Sequence, residues 1–147
     1  MMSPAAFARG IAKVPDKRLA GAMRSRLRYV VLNAVFSRME KEFVPERAEG
    51  LDAVYGFDIT GRRDGGVDSY QVVVRDRTCK AGRALGEEPR VKLTLDGVQF
   101  LKLVTGVESG MDMYLSGKLK FDGEMLLLNR LASVFRIPNA AARPVTR

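Results

Sequence analysis

The 147-residue chain has no histidine, no tryptophan and a single cysteine, Cys79. One cysteine excludes an intramolecular disulfide. Lacking histidine as well, the chain has no usual zinc site, no Ser-His-Asp or Cys-His nucleophile system and no histidine acid–base chemistry. Carboxylate and lysine chemistry stay open, but Asp58, Asp122 and Glu124 show no partner beyond turns and caps, so catalysis is not expected. No apolar run approaches the ~20 residues of a membrane-spanning helix. The first residues lack the basic segment and apolar core of a secretory signal, and Val145-Thr146-Arg147 matches no sorting tail, which leaves the cytoplasm as the expected compartment. Neither a Walker-type nor a dinucleotide-type glycine loop is present, so Gly65-Gly66 reads as a hairpin turn.

What the sequence has in excess is positive charge, +8 in all, and that charge is uneven. Residues 1–28 carry seven basic residues against Asp16 alone, the stretch from Arg136 carries three more, and residues 29–135 are left at −1. Basic ends suit an anionic surface, lipid or nucleic acid. With 7% aromatic residues and no nucleic-acid motif, nucleic acid is the weaker alternative. The length fits one domain. Its expected limits are residues 16–138, between a loose basic arm (1–15) and a basic tail (139–147).

Periodicity supplies the elements. Asp16 is a candidate cap for a long helix over about 17–43. In that helix Leu19, Met23, Leu27, Val30 and Ala34 form a core-facing stripe, and Lys17, Arg24 and Arg28 lie opposite. Alternation predicts strands at Tyr55-Phe57-Ile59 and Tyr70-Val72-Val74, joined through the polar turn from Gly61, and a less defined strand at Thr78 and Cys79. The stretch 91–138 reads as strand, helix, strand, helix. Val91, Leu93 and Leu95 alternate, and Asp96 caps a helix that Gly106 stops. Met113, Leu115, Leu119 and Phe121 share one face of a second strand, with Gly117 as a bulge or close approach. Asp122 starts a final helix, Met125 to Phe135. Its apolar residues Leu127, Leu128, Leu131, Ala132, Val134 and Phe135 cover more than half the circumference. A helix packed on one side needs less, so this one requires a second cover: protein, membrane or ligand. The layout is α+β.

These elements resemble the sterol carrier protein type-2 family over about residues 17–138. The matching features are Tyr55-Gly56-Phe57-Asp58-Ile59-Thr60, the hairpin to Tyr70-Gln71-Val72-Val73-Val74, Val91 to Asp96, the helix ending Thr105-Gly106, and Leu115-Ser116-Gly117-Lys118-Leu119-Lys120-Phe121-Asp122-Gly123-Glu124. The family often has aspartate where Glu124 stands. The resemblance implies a five-stranded, largely antiparallel sheet with helices on one face and an apolar tunnel between them. It further implies non-catalytic binding and transfer of a sterol, fatty acid, acyl-CoA or isoprenoid lipid, with no cofactor and no metal. Alternatively, the protein is an accessory that presents a quinone precursor or steroid-CoA to a partner enzyme. The expected wall is Phe57, Phe100, Leu103, Val104, Met113, Leu115, Leu119, Phe121, Met125, Leu128, Leu131 and Phe135. Met111, Met113 and Met125 would give it an adaptable surface. The basic termini would make transient contact with an anionic membrane.

Overall fold

Three alternating strands build the centre of the molecule. The computed structural model describes residues 13–83 and 85–136. Strands β1 (Ala53–Thr60), β2 (Asp68–Arg75), β3 (Thr78–Arg83), β4 (Val91–Asp96) and β5 (Lys120–Gly123) form one sheet in the order β3-β2-β1-β4-β5. The pair β1–β4 is parallel and the other three pairs are antiparallel. The expected α+β, largely antiparallel architecture is thus present, with one parallel pair at its centre.

Register explains the core. Phe57 lies opposite Tyr70 on one side and Leu93 on the other, and Tyr55 opposite Val72 and Val91. All six are essentially inaccessible. The alternate positions carry polar groups: Ser69 donates to Asp58 at 2.7 Å, and Lys92 reaches the same carboxylate at 3.3 Å. Where apolar Val54 and Val73 fall on that second side they are also buried. There the segment before β4 covers Gly56 with Pro89, and the Arg90 N–H donates to the Val54 carbonyl.

The helices are α1 (Asp16–Met23), α2 (Leu27–Glu42), α3 (Gly97–Val104), α4 (Gly110–Leu115) and α5 (Met125–Ser133), with a 3-10 turn at Pro45–Ala48. Phe36 of α2 is the hub of the core. Its ring stacks on Tyr70 (centroids 4.2 Å) and Phe100 (5.1 Å) and meets Phe57 edge-on at 5.6 Å. Such pairs add to the area term of burial. No helix among the described residues is long and apolar enough to cross a membrane.

Four local expectations are corrected. The long helix over 17–43 is broken at residues 24–26. Ser25 Oγ donates to the Ala22 carbonyl and accepts from the Leu27 N–H, and Arg28 Nη1 takes the Met23 carbonyl at 3.1 Å. Those bonds satisfy the end of α1, so the backbone turns. The core stripe turns with it: Leu19 and Met23 face inward, but in α2 the buried residues are Arg28, Leu32, Val35 and Phe36, and Leu27, Val30 and Ala34 are exposed. Arg28, expected on the outer face, is 1% exposed.

The third and fourth corrections concern the carboxy-terminal third. Met113 and Leu115 lie on a helix, not on a strand with Leu119 and Phe121. Ser109 caps α4 by accepting from the Asp112 N–H at 3.0 Å. Gly117, at φ 81°, ends it, with Lys118 N–H on the Met113 carbonyl and Gly117 N–H on Tyr114. This is a Schellman stop, which wants glycine at the left-handed position, so Gly117 is neither a strand bulge nor a close approach, and a Cβ there would meet open space. Asp122 belongs to β5, and α5 ends at Ser133 rather than Phe135. The Val44 N–H on Val134, the Arg136 N–H on Glu42 and the Phe43–Phe135 bridge draw the chain out of the helix. Gly123, the last residue of β5, has φ 129°, and a Cβ there would run into the Arg90 carbonyl. The arm and tail assigned to residues 1–15 and 139–147 lie, except for residues 13–15, outside the described residues.

Candidate functional site

The twelve expected wall residues fall into three groups. Phe57, Phe100, Met113, Leu119, Leu128, Leu131 and Phe135 are buried in one continuous core. Leu103, Val104 and Phe121 are half-buried against it. Leu115 and Met125 face outward at 74% and 37% exposure. Their neighbours Met111, Tyr114 and Leu126 are exposed too, Leu126 at 78%. Tyr114 and Leu126 were not among the expected wall residues. The apolar run Met125-Leu126-Leu127-Leu128, longer than one buried stripe needs, is the signal that could have flagged Leu126.

The two ends of this core are built differently. At one end rings lock together: Phe36, Phe57 and Phe100 sit mutually within 5.1–5.7 Å. At the other end stand α4 and α5. Helix α2 packs its backbone closely on β3, and α1 on α3, whereas the backbones of α4 and α5 approach other elements only at isolated points. The buried side chains here are flexible or aliphatic: Met113, Leu119, Leu128 and Leu131. Leu103 reaches α4 at Gly110, where a Cβ would lie 3.5 Å from Leu103 Cδ1, and Tyr114 meets Phe121 edge-on at 5.0 Å.

Polar ties hold α5 at its edges. Tyr55 Oη donates to the Leu127 carbonyl at 2.7 Å, Arg130 Nη2 donates to the Arg47 carbonyl at 3.2 Å, and Arg90 pairs with Glu124 at 2.7 Å. Burial raises the Tyr55 pKa from 10.0 to about 12, against a partial lowering by Arg130 and Arg90. A raised pKa means that the fold favours the neutral phenol. That contribution is complete below pH 10 and is lost as the pH climbs towards 12. Tyr55→Phe is therefore expected to cost about 1 kcal/mol at neutral pH through the lost bond to α5. It should also reduce the decline of stability between pH 10 and 12, measured by urea unfolding across that range. Cys79, raised by burial and then by Glu40, also to about 12, and Tyr70, raised chiefly by burial, account for the decline that stays.

A separate depression of about 410 Å³ lies by the β2–β3 turn, lined by Ala48, Gly50, Leu51, Asp52, Asp76 and Arg77. Its charged rim does not suit a hydrophobic guest. Among the described residues no cluster of three or more potential ligands could hold a metal ion.

A family model described as the SCP-2 sterol transfer family matches residues 32–136. The chain belongs to the SCP-2 sterol transfer family. That match runs from Leu32, within α2, to just past α5, so it takes in the whole sheet and every candidate wall residue. Solved structures agree in fold. The sterol carrier protein domain 2 of Helicoverpa armigera superposes with a TM-score of 0.62 at 22% identity, over 81% of this chain and 91% of that one. Sterol carrier protein 2 from Yarrowia lipolytica gives 0.54 at 17% identity, over 73% and 91%. The UbiJ-SCP2 ubiquinone synthesis protein gives 0.56 at 11%, over 74% and 95%. No curated protein matches the chain.

Proposed function

We propose that this SCP-2 family member is a non-catalytic carrier that binds a sterol, fatty acid, acyl-CoA or isoprenoid lipid and transfers or presents it. The observation that carries the reading is the contrast within the apolar core: three phenylalanine rings packed mutually together in one part, and buried Met113, Leu119, Leu128 and Leu131 around α4 and α5, whose backbones make few close approaches to the sheet. Leu103, Val104, Met113, Leu119, Phe121, Leu128 and Leu131 would line the guest's path, with Phe57, Phe100 and Phe135 as its fixed base. Leu115 and Met125 would stand at its mouth beside Met111 and Leu126. Each methylene taken from water contributes about 0.8 kcal/mol, so a long chain gains roughly ten kcal/mol before ordering costs. That supports micromolar or tighter binding that is still reversible.

The test is displacement of a fluorescent fatty acid from the purified full chain by unlabelled fatty acid and by sterol, with native mass spectrometry of the loaded protein. Saturable binding of one guest per chain is expected. No bound lipid in either measurement would sink the carrier reading. A second reading, in which the same cargo is handed to a partner enzyme, draws on the likeness in fold to a ubiquinone synthesis protein. Co-purification of an enzyme favours it, and free exchange of lipid between vesicles without any partner counts against it.

A further inference from the structure

Helices α4 and α5 stand at the same end of the core, yet they are attached to the rest of the molecule in opposite ways. Polar ties bind α5 and its flanks to several other elements. Tyr55 of β1 donates to the Leu127 carbonyl, Arg130 reaches the Arg47 carbonyl, and Arg90 pairs with Glu124. The Val44 N–H meets the Val134 carbonyl, and the Arg136 N–H meets that of Glu42. Residues 107–118, which contain α4, have no tie of that kind. Among the described residues, every hydrogen bond and ion pair they make ends within residues 102–119. The Val107 and Glu108 N–H groups donate to the Lys102 carbonyl of α3, and the Lys118 and Leu119 N–H groups donate to the Met113 carbonyl. Lys118 Nζ lies 3.3 Å from the Glu108 carboxylate, so an ion pair joins the two ends of the segment.

A glycine in the left-handed region stands at each end of this closed segment, Gly106 at φ 75° and Gly117 at φ 81°. Glycine takes up a change of backbone angles without a Cβ to obstruct it, and element ends are where hinges form. One side chain holds the segment to the core. Met113 is inaccessible, and no other residue from 106 to 118 is buried. The contacts around it are shallow: Leu103 beneath Gly110, and the Tyr114 ring edge-on to Phe121. An unbranched methionine can leave one apolar seat and settle on another surface, which a β-branched side chain cannot do as freely.

We infer that residues 107–118 are a lid, hinged at Gly106 and Gly117 and latched by Met113, through which the guest enters and leaves while α5 stays in place as a fixed wall. What passes beneath the lid rests on the carrier reading, whereas its opening is a property of the unloaded chain. Hydrogen exchange on the unloaded full chain tests that opening. The bonded amides of Met113, Ser116, Gly117 and Lys118 are expected to exchange at one shared rate, at least about tenfold faster than those in the second half of α5. Stopped-flow mixing with a fluorescent fatty acid then tests the latch. In Met113→Ala the entry and exit rates should both rise by about tenfold, while Kd changes by less than about threefold. Tyr55→Phe, which unties α5 and also lowers stability, should leave both rates within about twofold of the unsubstituted chain. Faster rates in Tyr55→Phe with unchanged rates in Met113→Ala would make α5 the moving part and overturn the lid. So would amides of α4 that exchange no faster than those of α5, or that show a gradient of rates, the mark of simple fraying. No fatty-acid binding by the unsubstituted chain would strike the carrier reading instead, and hydrogen exchange, which needs neither lipid nor variant, would still decide whether the lid opens.

Discussion

Asp68→Ala is expected to lower the unfolding free energy by about 3–5 kcal/mol, a large share of what a domain of this size has. The carboxylate is buried, with the Arg28 guanidinium 2.7 Å away and those of Arg62 and Arg83 at 3.4 Å. Removing it leaves Arg28 charged inside the protein with only backbone carbonyls for partners. Those carbonyls, from Met23, Ile59 and Thr60, come from the end of α1 and the end of β1, so the damage falls where helix meets sheet. Urea unfolding measures the cost. The double substitution Asp68→Leu, Arg28→Met should restore much of the loss, because a buried ion pair replaced by apolar side chains of similar volume is often neutral. A single substitution that costs less than about 1 kcal/mol would mean that water reaches the guanidinium and the clamp is not buried in solution.

Arg28 also shows where reading the sequence stops. The strands were legible because alternation at Tyr55-Phe57-Ile59, Tyr70-Val72-Val74 and Val91-Leu93-Leu95 records a buried face directly, and α3 was legible through its cap, Asp96, and its stop, Gly106. A basic residue in a basic helix reads as solvated, since burying it requires a partner, and its partner lies 40 residues on. Nothing local marks that pairing. In α4 the failure was one of period. Met113, Leu115, Leu119 and Phe121 are evenly spaced in parity and fit a strand, yet Ser109 and the Gly117-Lys118 pair, a cap and a stop, were the stronger signals for one short helix. Parity then placed Leu115 inward, whereas on the helix it points out. The candidate site has a different limit. Leucine, methionine and phenylalanine line a ligand path and fill a core with the same chemistry, so composition and periodicity locate the apolar region without saying whether it yields to a guest.

Leu128→Trp separates those two possibilities. Leu128 is 8% exposed on the inner side of α5, one turn before Leu131, and the helix beside it is tied to the sheet by the Tyr55 bond to Leu127. If α5 borders a space that a lipid occupies, the indole enters that space and excludes about three methylenes of the guest. The expected loss is about 2.4 kcal/mol of binding, roughly fiftyfold in fluorescent fatty-acid affinity. Stability should then change by less than about 1 kcal/mol, since the ring meets no fixed neighbour. If instead the side chains interlock, the added volume forces rotamers and backbone aside at a cost of about 1–3 kcal/mol, and there is no affinity to lose. Leu128→Ala is the complementary measurement. In a filled core it opens a void and costs about 2–5 kcal/mol. Beside a ligand path it widens a space already open to the guest, so its cost in stability is smaller and a bulkier lipid gains affinity. Affinity and stability moving apart in both variants is the pattern a carrier requires; both moving through stability alone would leave the α4–α5 end as ordinary core.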